Sequence, residues 1–230
     1  VKPGSIHLIH DGIESGSPSV DNVERLKKKL NLPSNSKVVG TVGRITRWKG
    51  VHVFIDAARE VLADCPETHF LVVGSPDTEQ ARKYFLGLRK KVLDQGLSER
   101  IHFTGFREDI PQLLSVMDVF ILPSIFPEPF GLVTLEAMLA RKPVIVTAHG
   151  GSLDIVSDQK EGYLCRPADC GELAEKIKRL LNDPALCQSM GDCGYKRATE
   201  DFEVKVQVEK IMNCYNQWLS SDSRERQKRS

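Results

Sequence analysis

Val38-Val39-Gly40-Thr41-Val42 carries no charge, and beyond the turn Gly43-Arg44-Ile45-Thr46-Arg47-Trp48-Lys49-Gly50 the chain changes its period. Apolar residues then recur at Val53, Phe54, Ala57, Ala58, Val61 and Leu62, the spacing of one helix face. Phe70-Leu71-Val72-Val73 restores the unbroken apolar run. A strand with one wet face alternates, whereas a strand apolar throughout must be covered on both sides. Strand, helix and strand patterned this way predict a parallel sheet with crossover helices on its faces.

The alternation continues in both directions. Upstream, His7-Leu8-Ile9-His10 reads as a strand closed by Asp11-Gly12, and Asp21 to Leu30 as a polar helix. Downstream come a helix across Glu79 to Asp94, a strand Ile101 to Phe103, a short helix Ile110 to Val116 and a strand Val119 to Leu122. An apolar helix, a strand Val144 to Val146 and a last short strand Glu161 to Leu164 follow. Asp169-Cys170-Gly171-Glu172 has the form of a capping box variant, and Asp183-Pro184 that of an N-cap with proline at the first helical position. From Phe202 a final helix sets Val204, Val208, Ile211, Tyr215 and Leu219 on one face. No repeat falls at solenoid or propeller periods. The expected fold is a doubly wound, Rossmann-like α/β domain over residues 1–218, followed by a polar basic tail at 219–230.

With 230 residues, 40% hydrophobic and 27% charged, the chain is ordinary for one globular domain with a proper core. A net charge of +1 gives no global basic field of the kind a nucleic-acid binder shows. No apolar run approaches the ~20 residues of a membrane span. The six cysteines show no zinc spacing and read as reduced thiols in a cytosolic-type fold, which places the protein in the cytoplasm. No signal peptide is evident, and a chain beginning at Val1 without Met reads as a fragment.

In open parallel sheets, ligands sit beyond the carboxyl ends of the strands. Gly43-Arg44, Gly74-Ser75, Thr104-Gly105-Phe106, Ser124 to Glu128 and Thr147 to Ser152 all follow strands and converge on one crevice. Arg44 and Lys49 there suit a phosphate, Arg as a planar fork and Lys as a point charge, while Arg47 reads as a surface charge. Between Leu132 and Ala140 only Thr134 and Glu136 are polar. A carboxylate on an all-apolar helix is costly unless bonded or paired. Glu136 is thus either a ligand group or the partner of a buried Arg or Lys. Glu128, at the mouth of the same helix, is either a site carboxylate or a first-turn acid favoured by the helix dipole. His149 reads as a polar loop residue.

The stretch Glu128 to Glu136 resembles the Glu-x7-Glu motif of the retaining glycosyltransferases of family 4, which have the GT-B fold and include sucrose synthases, bacterial glycogen synthases and many mannosyl- and glucosyltransferases. Gly43-Arg44 through Lys49-Gly50 resembles the family's phosphate-binding segment, and Lys142-Pro143-Val144-Ile145-Val146-Thr147 leading into Gly150-Gly151 a third. The resemblance runs from about Ile6 to Trp218 but covers only the C-terminal half of a two-domain architecture. It implies that Arg44 and Lys49 hold the donor diphosphate, with Gly43 in the same loop and Gly74 in the next one as further donor-binding positions. Phe130, Gly131 and Leu132 would approach the donor through backbone atoms, Glu136 would take the ribose hydroxyls, and Glu128 the sugar hydroxyls. Phe106 matches the segment lining the base, with core packing as its alternative.

The function expected is the donor-binding half of a retaining hexosyltransferase that uses a nucleotide-diphosphate sugar. No cofactor is expected, and no obligatory metal, since no Asp-x-Asp motif occurs in these loops. Arg44, Lys49 and Glu128 are the catalytic candidates. The acceptor domain is absent from this chain, and any peripheral membrane association would come through that missing half. The alternatives are a non-catalytic nucleotide-sugar-binding module working with a partner chain, and a GT-B-type epimerase. Intact Arg44, Lys49, Glu128 and Glu136 favour the transferase. Three positions depart from the family pattern: Asp11-Gly12 for Asn-Gly, Ala140-Arg141 for a small residue and Gly, and Asp154 for Glu.

Overall fold

The computed structural model describes residues 6–16 and 23–227. Its strands are β1 (Lys37–Val42), β2 (Thr68–Val73), β3 (Ile101–Gly105), β4 (Val119–Leu122), β5 (Val144–Thr147) and β6 (Gly162–Cys165). They form one sheet in the order β3-β2-β1-β4-β5-β6, with every neighbouring pair parallel. The helices are α1 (Val23–Lys29), α2 (Val51–Asp64), α3 (Glu79–Asp94), α4 (Ile110–Ser115), α5 (Leu132–Leu139), α6 (Ser152–Ile155), α7 (Cys170–Asn182), α8 (Pro184–Asp201) and α9 (Val204–Gln227).

Alternate residues of each strand serve different cores. Val39, Phe70, Val72, Val119, Ile121 and Ile145 pack with α2, α3 and α7. Their neighbours Val38, Leu71, Val73, Phe120, Val144 and Val146 pack with α4 and α5 on the other face. Two-sided burial is the reason these strands carry apolar residues on both faces. The direction of winding reverses between β1 and β4, the switch point at which open parallel sheets bind ligands.

Side-chain caps begin several helices, at Asp169 and Asp183 where the sequence suggests and at Thr78 besides. Thr78 accepts from the N–H of Ala81 at 3.1 Å, Asp169 from Glu172 at 2.9 Å and Asp183 from Leu186 at 2.9 Å. The Asp169 box is not reciprocal, because the Glu172 carboxylate takes the N–H of Arg166 instead, at 3.0 Å. After α5 the chain turns through Arg141 at φ 56°, with Arg141 N–H bonding Met138 O at 2.9 Å and Lys142 N–H bonding Ala137 O at 3.0 Å. This is a Schellman ending with arginine where glycine is usual. Arg141 is held by the Tyr195 ring, 3.9 Å from its guanidinium carbon, and by Asp192 at 2.5 Å.

Three expectations are corrected. His7 to His10 is not a strand: Ile6 and Leu8 are exposed, and the segment makes one isolated bridge, from Ile13 to Glu203 across the α8–α9 junction. With β3 and β6 ending the sheet elsewhere, it has no ladder to join. Helix α9 forms as expected, with Val208, Tyr215 and Leu219 of its apolar face at least half exposed. It also runs on to Gln227 through most of the expected tail; residues 228–230 and the Asp21 start of the first helix lie outside the described residues. Finally, α5 is not buried all round. Leu132 is 43% exposed, and Val133, Glu136, Leu139 and Ala140 form a half-buried flank, because α5 packs through its other side on the sheet and α8.

Candidate functional site

The β1 loop and the β4 loop lock together at the reversal point. Ile125 N–H bonds Trp48 O at 2.8 Å, and a Cβ at Gly50 would collide with the Pro123 carbonyl. Gly50 also sits at φ 70°, so glycine answers both demands at once. This contact lets side chains 79 positions apart meet. Lys49 Nζ donates to Glu128 Oε1 at 2.7 Å and to Oε2 at 2.9 Å. The Glu128 side chain is 3% exposed and that of Lys49 17%. Ser124 Oγ donates to the same Oε1. A buried carboxylate persists only when compensated, and here an ammonium and a hydroxyl compensate it.

The backbone around Glu128 is pinned as well. Gly151 N–H bonds Glu128 O at 2.8 Å, so the β5 loop closes over the β4 loop. His149 Nε2 lies 2.9 Å from Ser124 O, a loop-fixing contact of the kind expected for it. Glu128 is thus no first-turn acid of α5; it lies under the loop as the counter-ion of Lys49. The Lys49 ammonium also sits 4.3 Å from the centre of the Trp48 ring. Arg44 is exposed beside this pair and meets Asp77 of the β2 loop at 3.1 Å.

Gly43 has φ 154° and nothing near its would-be Cβ but the Lys49 side chain at 3.9 Å, leaving open room above it. Gly74 is different: its missing side chain makes way for the Gly43 carbonyl, so it shapes the loop. Gly131 enters α5 at φ 102° with no side-chain cap, which leaves first-turn N–H groups for a ligand. Leu132 is exposed at that entrance and Phe130 half-buried. Phe106 is 71% exposed, so core packing does not explain it.

Glu136 lies one turn into α5 on the open flank. Among the described residues none hydrogen-bonds or pairs with its carboxylate, which removes the buried Arg or Lys reading. Burial pushes its pKa above the usual carboxylate range. It borders a groove of about 340 Å³ whose other walls include Glu108, Ile110, Pro111, Leu114 and Ile13. The structure therefore separates the two carboxylates, one paired under a loop and the other unpaired in a groove.

Sequence reasoning passed over Ser124, Asp77 and Trp48 as individual contributors, although Ser124 and Trp48 stand within loops it singled out. A hydroxyl four residues before a site carboxylate was the available signal for Ser124. Among the described residues, no three His, Cys, Asp or Glu side chains gather as a metal site would require. No described helix is long and apolar enough to cross a membrane.

Residues 22–197 match the family model of the glycosyl transferases group 1. The chain is 30% identical over 214 residues to the capsular polysaccharide biosynthesis glycosyltransferase CapM of Staphylococcus aureus, covering 91% of this chain and 53% of that protein. It is 29% identical to the Escherichia coli UDP-Gal:alpha-D-GlcNAc-diphosphoundecaprenol alpha-1,3-galactosyltransferase, covering 94% of this chain and 55% of that one. The chain spans about half the length of the curated relatives it matches. Among solved structures, Anabaena Alr3699/HepE in complex with UDP and glucose superposes with a TM-score of 0.83 at 31% identity, over 90% of this chain and 56% of that one. The C-terminal domain of the group 1 glycosyl transferase LpcC from Francisella tularensis superposes at 0.75 with 29% identity, over 84% of this chain and all of that one.

Proposed function

This chain belongs to the group 1 glycosyl transferases, and from that premise we propose that it is the donor-binding half of a retaining hexosyltransferase. It takes a nucleotide-diphosphate sugar and works with an N-terminal acceptor domain. The observation that carries this reading is the Lys49–Glu128 pair across the β1/β4 reversal, with the uncapped start of α5 and unpaired Glu136 beside it. The HepE complex with UDP and glucose supports a ligand of this class.

Each group has a part. The diphosphate lies at the α5 N-terminus, where N–H groups and the dipole meet negative charge. Arg44 and Lys49 stabilise the charge that develops on it. The ribose hydroxyls bond Glu136, and Phe106 covers the base. Glu128 orders Lys49 and, where that ammonium turns to the diphosphate, its carboxylate meets the sugar hydroxyls. In transfer, the bond from sugar C1 to the phosphate oxygen breaks and its electron pair leaves with the diphosphate. The acceptor oxygen bonds C1 on the same face, and the departing phosphate takes the acceptor's proton. The free thiols of all six cysteines support a cytoplasmic setting.

Titration of the chain with uridine, guanosine and adenosine diphosphates and their glucose and mannose adducts tests the donor site. Binding of one series with Kd near ~0.1–1 mM is expected, about −5.5 to −4 kcal/mol. Binding of none refutes the reading. A transfer assay with and without an N-terminal domain then tests the division of labour, and robust transfer by this chain alone refutes that part.

A further inference from the structure

Beside the Lys49–Glu128 pair lies a second groove, of about 500 Å³, that the donor reading leaves unused. Trp48, Tyr84 and Phe126 supply aromatic surface to it, and Arg47, Gln80 and Thr78 supply polar groups. Phe126 is 60% exposed, and Arg47 is exposed with no acidic partner among the described residues. The Arg47 charge is close enough to perturb both His52 and Tyr84. Tyr84 is not free to swing, since its hydroxyl is 2.8 Å from His52 Nδ1 and takes the His52 N–H at 3.2 Å. Thr78 is engaged in capping α3. What the groove offers a ligand is therefore fixed aromatic surface, one amide and one uncompensated guanidinium.

We propose that this groove is a subsite for an anionic sugar, its ring against the aromatics and its anionic substituent on Arg47. The C–H face of a pyranose suits Phe126 and Trp48, its hydroxyls suit Gln80, and a phosphate or carboxylate suits an open guanidinium fork. A purely apolar occupant would leave Arg47 and Gln80 without partners, and a bare anion would leave the aromatic walls uncovered. The groove shares Trp48 with the Lys49–Glu128 pair: that ring's centre is 4.3 Å from Lys49 Nζ, which is 2.7 Å from Glu128.

Saturation-transfer NMR on the chain, with glucose 6-phosphate, glucose and inorganic phosphate as probes, tests it, and nucleoside diphosphate affinity is followed separately by calorimetry. Glucose 6-phosphate should bind at least fivefold more tightly than glucose or phosphate. Arg47→Ala and Phe126→Ala, both at exposed positions, should each weaken it at least fivefold and leave the diphosphate affinity unchanged. Equal binding of phosphate and glucose 6-phosphate, or indifference to Phe126→Ala, would overturn the subsite. Loss of diphosphate binding in the parent chain would overturn the donor reading instead.

Discussion

Lys49→Ala should be among the most damaging single substitutions in this chain. The Glu128 side chain is 3% exposed and both of its oxygens take the Lys49 ammonium, at 2.7 and 2.9 Å. Removing the ammonium leaves a buried carboxylate with only the Ser124 hydroxyl, and breaking a buried pair from one side costs about 3–5 kcal/mol. For a domain this size that is a fall in Tm of roughly 6–20 °C, at ~2–4 °C per kcal/mol. Glu128→Gln should cost less, about 1–2 kcal/mol, because Lys49 is more exposed and can turn its charge to water. The double variant Lys49→Met with Glu128→Gln removes both charges and should recover at least ~2 kcal/mol relative to Lys49→Ala. Urea unfolding of the four proteins, with unchanged m-values, measures these differences. A loss under ~1 kcal/mol for Lys49→Ala, the value of a surface ion pair, would refute the reasoning and make the pair a surface contact.

Glu136→Gln should do the opposite to stability. Its pKa is raised in the fold, so the folded chain holds that proton more firmly than the unfolded chain. The charged form thus lowers stability as pH rises through and above the ordinary carboxylate range. The variant should melt higher at pH 7 yet bind a nucleoside diphosphate about 1.5–3 kcal/mol more weakly; unchanged affinity with a lower Tm refutes both. His69, stacked on His102 and 3.0 Å from Arg100, is lowered to about 4 by burial and those cationic neighbours, so the unfolded chain takes up its proton first as pH falls below 6.5. Stability should then drop by on the order of 1 kcal/mol between pH 7 and 5, after screening, and a His69→Gln variant that keeps the same drop in urea midpoint refutes this. Arg141→Gly should be nearly neutral, the relief of a positive φ (~1 kcal/mol) offsetting the lost Tyr195 and Asp192 contacts, whereas Arg141→Ala should cost about 1–2 kcal/mol. Thermal melts that rank Ala above Gly refute it.

Much of the architecture was legible because its causes are local. Val38 to Val42 and Phe70 to Val73 are uncharged and almost wholly apolar because both faces of the sheet are covered, and that pattern names a parallel sheet before any strand is paired. Caps at Thr78, Asp169 and Asp183 act within three residues, so they too are written in the chain. His7 to His10 misled for the complementary reason: an apolar run of strand length says nothing about whether a neighbouring strand is there to receive it. The edge of the sheet at which the candidate ligands gather also followed from order alone, since every loop that leaves a strand's carboxyl end lies there.

What the tertiary structure decided is which of those residues touch. The sequence named Lys49 and Glu128 but set them in separate roles; only the contact of the β1 and β4 loops makes one the counter-ion of the other. It named Glu136 as a carboxylate in need of a partner, and packing left that partner out by burying the opposite side of α5 and opening its own. Residues 79 apart meet through a backbone crossing at Gly50 and Pro123 that no periodicity encodes. Periodicity reports the environment a residue needs, and the fold determines which neighbour supplies it.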